Sequence, residues 1–348
     1  MMWFIPFIAA SLSSSNSLDF WHGVRGVEIG KTIGSGSYGD VNEVKIKNKL
    51  YAMKSAKVRK SGSHTRTAEN EINKLHLLDH ENVIKYYAHW IDENGLYKII
   101  LEYCDGNIVE YFNTLKKIDK NILGRFKKAS LTHFQEEKAA MNNMLQQIMC
   151  GLAYIHFKGV FHLDVKPENI LFKNQENGEV VFKLADFGLS TDQDITSSAI
   201  GTPFYMDKDS INNNDLINRK IKELEELEDD PYPDDIAEIR ELRSEIYELQ
   251  SKSYDSAAKD IYAFGKTMFV IAKALDSRKG IPFYNMVTKR LYSDRYKRIC
   301  FTEEEQIAPN SNRREATSFK EDSEFQSIIR RMMHCDASKR PRAAELVH

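Results

Sequence analysis

Residues 162–169 read HLDVKPEN, and residues 185–188 read ADFG. Asp164 and Asn169 stand five positions apart on one predicted loop, and Asp186 follows after a short predicted hairpin. The loop and the hairpin would therefore bring two carboxylates and one side-chain amide to the same place. Oxygen ligands of this kind suit a hard metal ion, so the three side chains predict a site for a metal ion and phosphate groups.

A glycine-rich stretch precedes these motifs. Residues 33–41, IGSGSYGDV, have the pattern G-x-G-x-x-G-x-V, which by itself also occurs in dinucleotide-binding folds and in tight hairpins. In a dinucleotide-binding unit the glycines lead into a helix, whereas the following DVNEVKIKNKLYAMK predicts a strand, a turn and a second strand. A dinucleotide-dependent oxidoreductase is therefore excluded. Lys54, at the end of YAMK, stands where a strand lysine can reach phosphate oxygens.

In this order the motifs resemble the signature set of the protein kinase family: a glycine-rich loop, a strand lysine, H-R-D-x-x-x-x-N and D-F-G. The resemblance runs from about Val27 to His348 and includes GTPFY, DIYAFG and KRPRAAEL. It implies an α+β, two-lobed protein kinase fold, with a small β-rich N-lobe at 27–105 and a larger, mainly α C-lobe at 106–348. Residues 1–26 would form an N-terminal tail.

Hydrophobic periodicity agrees with that organisation. Apolar residues at helical spacing predict a helix over 66–79, and the YYAHWI and YKIILEY segments that follow predict strands. Three further stretches have helical patterns, at 141–157, 257–275 and 325–347. The first part of the chain is therefore expected to be mainly β and the second part mainly α.

The resemblance implies the use of ATP with Mg²⁺, and it assigns catalytic roles to four residues. Lys54 contacts the α- and β-phosphates, and Glu71 fixes Lys54 through an ion pair, whereas the nearby Glu69 faces away. Asp164 accepts or orients the proton of the substrate hydroxyl, and Lys166 neutralises the γ-phosphate.

Metal and nucleotide contacts are implied in the same way. Asn169 and Asp186 bind Mg²⁺, and the glycines of the loop let the backbone cover the triphosphate closely. The residues implied in nucleotide binding are Ile33, Gly34, Gly36, Gly39, Val41, Ala52, Lys54, Leu101, Glu102, Cys104 and Leu171. For the adenine-sandwich residues Val41, Ala52 and Leu171, plain packing in the core is the alternative interpretation.

One departure from the family pattern lies beside the catalytic aspartate. The usual arginine is Leu163 here. In the family that arginine often binds a phosphate on the activation loop, so we expect basal activity not to depend on phosphorylation in 190–198. HLDVKP and HENVIKYYAHWIDE are similar to the Wee/Myt branch of cell-cycle kinases and to the neighbouring kinases of translation initiation factor 2, whereas ADFG differs from the D-L-G common among Wee kinases.

A second departure replaces the family's A-P-E triplet. GTPFYM continues as Asp207-Lys208-Asp209, and Arg340 of KRPRAAEL occupies the position of the buried arginine with which the triplet glutamate pairs. By position, Asp209 is the expected partner of Arg340, although its side chain is one methylene shorter than that of glutamate.

Residues 212–256 differ in composition from their surroundings. Apolar residues follow one stripe in DLINRKIKELEELEDD and another in DDIAEIRELRSEIYELQSK, with PYP between them, which predicts a helical hairpin. The hairpin would be inserted before Asp260 of DIYAFG, beside the peptide-docking surface. Its two stripes either pack on each other or dock a helical partner.

The composition limits the kinds of partner that we expect the chain to bind. Hydrophobic residues make up 42% of the chain and charged residues 29%, close to globular averages. Lys plus Arg (49) nearly equal Asp plus Glu (51), so there is no global basic field and no nucleic-acid partner is expected. The apolar run from Trp3 to Ala10 is too short for a membrane span, and none is expected.

The cysteines give an expectation about the compartment. Cys104, Cys150, Cys300 and Cys335 form no CxxC pair, so we expect reduced thiols and neither a zinc site nor a disulfide framework. This is typical of a cytoplasmic or nuclear protein.

Two functions remain open. The first is a protein kinase that transfers the γ-phosphoryl group of ATP to Ser/Thr hydroxyls of protein substrates, since Lys166 and GTPFY are typical of that type; the Wee/Myt branch keeps the lysine yet can modify Tyr. The alternative is a pseudokinase scaffold that binds partners through the hairpin, which Leu163 and the lost triplet favour. The residues that favour an active enzyme are Lys54, Glu71, Asp164, Asn169 and Asp186.

Overall fold

The computed structural model describes residues 28–36, 39–57, 63–123, 129–193, 195–196, 200–229, 235–252, 254–276, 300–302 and 323–347. These residues form two compact units. The first comprises the described residues up to Ile72 together with Lys85–Tyr103, and the second comprises Asn73–Ile84 and the described residues from Cys104 onward. The predicted tail at 1–26 lies outside the described residues.

The first unit is built on an antiparallel sheet of five strands in the order β1-β2-β3-β5-β4. Its strands are β1 (Glu28–Gly36), β2 (Gly39–Ile46), β3 (Lys49–Lys57), β4 (Tyr86–Ile91) and β5 (Leu96–Glu102). Alternating apolar residues line one face of these strands. Val44, Ile46, Met53 and Ile100 form its buried cluster, against which Trp90 packs.

Helices dominate the second unit. They are α2 (Ile108–Leu123), α3 (Ala129–Phe157), α4 (Lys208–Asp229), α5 (Asp235–Ser251), α6 (Ser256–Asp276) and α7 (Ser323–Met332), while α1 (Ser63–Leu77) passes from the first unit into the second. The unit also contains a sheet in the order β6-β7-β8, made of β6 (Gly106–Asn107), β7 (Ile170–Asn174) and β8 (Val180–Leu184). The predicted α+β class, with a β-rich part followed by a mainly α part, is confirmed.

The core of the second unit lies along α3 and α6. On α3, Met144, Ile148 and Leu152 recur at helical spacing with 0% exposure, and Ile261 and Phe264 of α6 are equally buried. The chain leaves α3 shortly before the loop at 162–169, and α6 carries Asp260, which binds that loop, so the packing of the two helices positions the functional site.

The predicted helical hairpin is present, and its two stripes pack on each other. Ile217 of α4 and Leu242 and Ile246 of α5 are buried, and the Asn213 amide donates to the carbonyl of Leu249 at 2.9 Å. Lys220 of α4 also pairs with Glu245 of α5. A helical partner is therefore not supported. The turn containing PYP lies outside the described residues.

The hairpin begins earlier than the predicted boundary of 212, because Asp207 caps α4. The Asp207 Oδ1 accepts the N–H of Ser210 at 2.8 Å. Its Oδ2 lies 3.0 Å from Nη1 of Arg340, and both side chains are almost fully buried. The expectation that Asp209 pairs with Arg340 is therefore wrong: Asp209 lies in the first turn of α4 and is exposed.

The expectation of four reduced cysteines is also wrong. Cys300 and Cys335, 35 residues apart, form a disulfide, whereas Cys104 and Cys150 remain thiols. Backbone pairing brings them together: Phe301 donates to the carbonyl of Met333, and Cys335 donates to the carbonyl of Phe301, each at 3.1 Å. Sequence spacing did not reveal this contact. The predicted cytoplasmic or nuclear location stays a prediction.

The helix predicted over 325–347 ends early. α7 stops at Met332, and two short 3₁₀ turns follow, Ala337–Lys339 and Ala343–Leu346. Asp336 accepts the N–H of Ser338 at 2.9 Å and so caps the first of them. Among the described helices, none is both long and apolar enough to cross a membrane.

The Asp207–Arg340 pair gives a stability prediction. We expect Asp207→Asn to lower the free energy of unfolding by ~3–5 kcal/mol, because it leaves the buried Arg340 guanidinium without a counter-charge. Asp209→Asn is the matched control, since this carboxylate is exposed and should change stability by no more than ~0.5 kcal/mol. Urea unfolding of the two variants measures both changes in the free energy of unfolding. Equal unfolding midpoints for Asp207→Asn and Asp209→Asn would contradict the pairing of Asp207 with Arg340.

The pH dependence of the same pair is a second check. Burial by itself raises the pKa of Asp207, but the Arg340 charge and the hydrogen bond from Ser210 outweigh it and hold the pKa below the ordinary value. Its contribution is therefore fully present above the unfolded carboxyl pKa of about 3.9 and is lost as the pH falls through the folded pKa. The difference in the free energy of unfolding between the wild type and Asp207→Asn should therefore become smaller only when the pH falls below the ordinary carboxyl pKa.

Candidate functional site

A buried ion pair marks the site residues of the first unit. The Lys54 Nζ on β3 lies 2.6 Å from the Glu71 Oε2 on α1, with side-chain exposures of 10% and 2%. Glu69, two positions earlier on the helix, instead accepts the Tyr97 hydroxyl proton at 2.7 Å. Glu71 therefore fixes the Lys54 ammonium through a buried ion pair.

The glycine-rich loop is the tip of the β1–β2 hairpin. Gly34 pairs with Val41 and Gly36 with Gly39 across this hairpin. Gly39 has φ +136°, and a Cβ there would lie 1.8 Å from the carbonyl oxygen of Ser55, so the fold itself requires this glycine. At Gly34 a Cβ would meet Val41 at an ordinary 3.7 Å, so internal packing does not explain that glycine.

The residues predicted to contact adenine fall in both units. In the first, Ala52 of β3 pairs with Leu101 of β5, and the N–H of Glu102 donates to the carbonyl of Lys85 at 2.8 Å. Ile33 of β1 is exposed. In the second, Cys104 is buried, and Leu171 of β7 pairs with Asn107.

The centre of the second unit's site is the carboxylate of Asp164. Its Oδ2 accepts the Lys166 ammonium at 2.6 Å and the Asn169 amide at 3.0 Å. Its Oδ1 accepts both the N–H and the hydroxyl of Thr202, at 3.0 and 2.5 Å. Asp164 is only 5% exposed, so four donors fix the orientation of a buried carboxylate.

Thr202 is the residue that the sequence reasoning missed. Its hydroxyl also accepts a hydrogen bond from the Lys166 ammonium at 2.9 Å, so it joins the lysine and the aspartate. The available signal was the GTPFY motif, in which Thr202 stands 38 residues from Asp164. The structure brings them together because the segment carrying Thr202 folds back onto the loop.

A backbone hydrogen bond brings the two candidate metal ligands, Asn169 and Asp186, close together. Ala185, directly before Asp186, donates its N–H to the carbonyl of Asn169 at 2.9 Å. Asn169 donates from its amide nitrogen to the carbonyl and the carboxylate of Asp164, which turns its amide oxygen away from that residue. Asp186 has a left-handed backbone, with φ 64° and ψ 74°. An amide and a carboxylate oxygen on these two positions are suitable ligands for Mg²⁺.

Asp260 of α6 holds the loop in place. Its carboxylate, with 0% exposure, accepts the N–H of His162 at 2.8 Å and of Leu163 at 2.7 Å, and lies 2.9 Å from the Nε2 of His156. Leu163 has φ 61°, which is unfavourable for a branched side chain. The two backbone hydrogen bonds to Asp260 compensate for that strain.

Leu163 packs where the family's arginine would stand. Together with Phe161 and Ala257 it forms a buried apolar cluster, against which Ile200 packs. His162 accompanies it on the inner side of the loop: its Nε2 lies 2.9 Å from the carbonyl oxygen of Ala185, and its ring lies 4.8 Å from that of Phe187. The loop is therefore anchored by apolar contacts as well as by Asp260.

Comparison with known proteins points in one direction. A family model for the protein kinase domain matches residues 27–221. The chain is 34% identical over 190 residues to "Probable serine/threonine-protein kinase nek3" of Dictyostelium discoideum, covering 53% of this chain and 16% of that protein. It is 30% identical over 185 residues to "Serine/threonine-protein kinase Nek3" of Oryza sativa subsp. japonica, covering 51% of this chain and 28% of that protein.

A third relative is named as a different kind of protein kinase. "Calcium-dependent protein kinase 6" of Plasmodium berghei (strain Anka) is 33% identical over 181 residues, which cover 51% of this chain and 11% of that protein. The chain thus spans less than a third of the length of these curated relatives. Their names do not confirm the resemblance to the Wee/Myt branch.

The Asp260 network gives a prediction about the loop. We expect Asp260→Asn to accelerate amide hydrogen exchange at His162 and Leu163, because a carboxamide retains one acceptor oxygen where the carboxylate offers two. Loss of charge-assisted hydrogen bonds should cost about 1.5–3 kcal/mol of local stability. The control is Asp92→Asn, which alters a carboxylate that also accepts two backbone N–H groups, those of Asn94 and Leu96. Unchanged exchange at Leu163 in Asp260→Asn would contradict the anchoring role.

Proposed function

The chain belongs to the protein kinase family, and we propose that it transfers the γ-phosphoryl group of ATP to serine and threonine hydroxyls of protein substrates. The observation that carries the proposal is the network in which Asp164 accepts hydrogen bonds from both Lys166 and Thr202. It holds a carboxylate and an ammonium close together at a fixed orientation, which is what phosphoryl transfer to a hydroxyl requires.

Asp164 orients the substrate hydroxyl and accepts its proton. Lys166, 20% exposed at its side chain, carries the positive charge that neutralises the transferred group. Thr202 fixes both, because its hydroxyl donates to the carboxylate and accepts from the ammonium. The relatives' names support the serine/threonine type over a tyrosine-directed enzyme.

Nucleotide binding is proposed for the glycine loop, for Lys54 and for the residues around Glu102. Gly34 supports this part, since the packing of the chain leaves room for a Cβ there and a close backbone approach to phosphates explains the glycine. Lys54, oriented by Glu71, binds the α- and β-phosphates.

Mg²⁺ is proposed as the metal, held by Asn169 and Asp186. When bound, the ion would neutralise phosphate charge. The contribution of the chain is to fix the ligands: Asn169 through its two hydrogen bonds to Asp164, and Asp186 through the neighbouring backbone bond of Ala185.

The alternative of a pseudokinase scaffold is not supported. Its two arguments were Leu163 and the lost triplet, and both have structural replacements: Leu163 packs in an apolar cluster, and Asp207 takes the pairing role with Arg340. The hairpin stripes on which the scaffold would rely pack on each other.

We expect Lys54→Met, Asp164→Asn and Asp186→Asn each to abolish phosphoryl transfer, because positioning and electrostatic stabilisation supply nearly all of the catalysis in this reaction. Of the three, only Asp186→Asn should also strongly weaken Mg²⁺-dependent nucleotide binding. The measurement is transfer of radiolabelled phosphate from ATP onto a protein array, with separate scoring of phosphoserine, phosphothreonine and phosphotyrosine. Wild-type activity in all three purified variants would overturn the assignment, and predominant phosphotyrosine would overturn the hydroxyl specificity.

The Thr202 hydroxyl is tested by a pair of variants. Thr202→Val keeps the shape but loses both side-chain hydrogen bonds, and we expect kcat to fall about 10–100-fold, the value of hydrogen bonds to charged groups. Thr202→Ser retains the hydroxyl and should keep most of the activity. Nucleotide affinity should stay the same in both. If valine and serine behaved alike, the hydroxyl would have no catalytic importance.

A further inference from the structure

We propose that the segment leaving the inserted hairpin, Tyr254–Ser256, is a positioning element that holds the described residues of the activation segment in the substrate-binding arrangement without a phosphate. These residues, 186–193, 195–196 and 200–207, are called the activation segment below. This inference rests on the proposed function, because it concerns the regulation of the same site. Every contact that carries it lies within the second unit.

The first contact is a short antiparallel ribbon. β9 (Ile195–Thr196), in the activation segment, pairs with β10 (Tyr254–Asp255), which follows α5. In this register Tyr254 stands opposite Thr196, and Asp255 opposite Ile195. The hydroxyl of Ser256, which is fully buried, donates to the carbonyl of Gln193 at 2.8 Å. Three successive residues of the hairpin exit thus bind the backbone of the activation segment, at Thr196, Ile195 and Gln193.

The hairpin exit is itself firmly anchored. Asp255 Oδ1 accepts the N–H of Ala258 at 2.8 Å and so caps α6, while its Oδ2 lies 2.9 Å from Arg342. The Lys259 ammonium lies 4.9 Å from the ring centroid of Tyr254, a cation–π distance. A strand fixed at both of its residues can act as a template for β9.

Further contacts extend the anchoring toward the catalytic loop. Ile200 packs on the apolar cluster of Leu163, Phe161 and Ala257. Gly201, with φ +117°, approaches so closely that a Cβ would lie 2.7 Å from the Leu163 carbonyl oxygen. Thr202 then reaches Asp164. Ile200, Gly201 and Thr202 thus all contact the catalytic loop directly.

The contacts described above for Gln193, β9, Ile200 and Gly201 are backbone pairing, a serine hydroxyl hydrogen bond and apolar packing. At position 163 an apolar side chain packs against the activation segment, where an arginine would need an anionic partner. Ser190 is 4% exposed, and its hydroxyl donates to the Phe187 carbonyl at 2.6 Å, so this serine already has a structural partner. The geometry assigns the ordering of the activation segment to packing and to the β9–β10 ribbon.

The hairpin is joined to the activation segment at its other end too. α4 starts at Lys208, directly after Asp207, whose side chain is fixed by Arg340. Since α4 and α5 pack on each other, both ends of the insertion bracket the segment that carries Thr202. The insertion is thereby joined to the activation segment at two places: through β10 at Ile195–Thr196, and through α4 directly after Asp207.

Ser256→Ala tests the positioning role, because it removes one buried hydrogen bond and little volume. We expect kcat with a protein substrate to fall about fivefold, the factor that one neutral hydrogen bond is worth, with ATP affinity unchanged. Amide exchange in residues 190–196 should accelerate. Ser256→Thr, which keeps the hydroxyl, should restore both. The control is Ser338→Ala, whose hydroxyl bonds to Asp336 at an exposed 3₁₀ turn.

The claim that the activation segment is positioned without a phosphate is tested on the wild-type protein. After phosphatase treatment, with mass spectrometry confirming an unmodified activation segment, activity should stay within twofold. A tenfold loss that re-phosphorylation restores would overturn the proposal, as would unchanged exchange in Ser256→Ala. If wild type transferred no phosphate at all, the proposed function would fail while the exchange measurement still decided the positioning role.

Discussion

The buried carboxylate of Asp260 is the point to which the catalytic loop is fixed. It accepts the backbone N–H groups of His162 and Leu163 and contacts His156, all at 2.7–2.9 Å. A carboxylate with 0% exposure requires such donors, because burial without them is very costly. The loop in turn requires Asp260, because Leu163 has an unfavourable left-handed backbone. The helix and the loop therefore specify each other, and Asp164 takes its position from both.

From that anchor the site extends through contacts of two kinds. Charge-assisted hydrogen bonds join Asp164 to Lys166, Asn169 and Thr202, and they fix directions as well as distances. Apolar packing around Leu163 holds the segment that carries Thr202. The hydrogen bonds set the chemistry, and the packing keeps the threonine where the chemistry needs it.

Local patterns in the sequence were sufficient for much of the architecture. Alternating residues placed the strands of the first unit, and the resemblance to protein kinases selected Glu71 rather than Glu69 as the partner of Lys54. The apolar stripes at 212–256 predicted the hairpin because each amphipathic helix has apolar residues at helical spacing. Other features failed for specific reasons. Asp209 was favoured by position in the motif, but the start of α4 turns Asp207 toward Arg340, and the pairing of Cys300 with Cys335 depends on backbone contacts that spacing does not encode.

The sequence by itself determined which chemical groups are present and in what order: the glycines, the lysine, the loop with Asp164 and Asn169, and Asp186. These signals are local, since each motif forms a turn, strand or loop from neighbouring residues. Only the tertiary structure decided that Thr202 meets Asp164, that Asp207 meets Arg340 across 133 residues, and that Tyr254–Asp255 pairs with Ile195–Thr196. Such contacts arise from how buried helices and loops satisfy charges and backbone groups at a distance, and no short pattern in the chain records them.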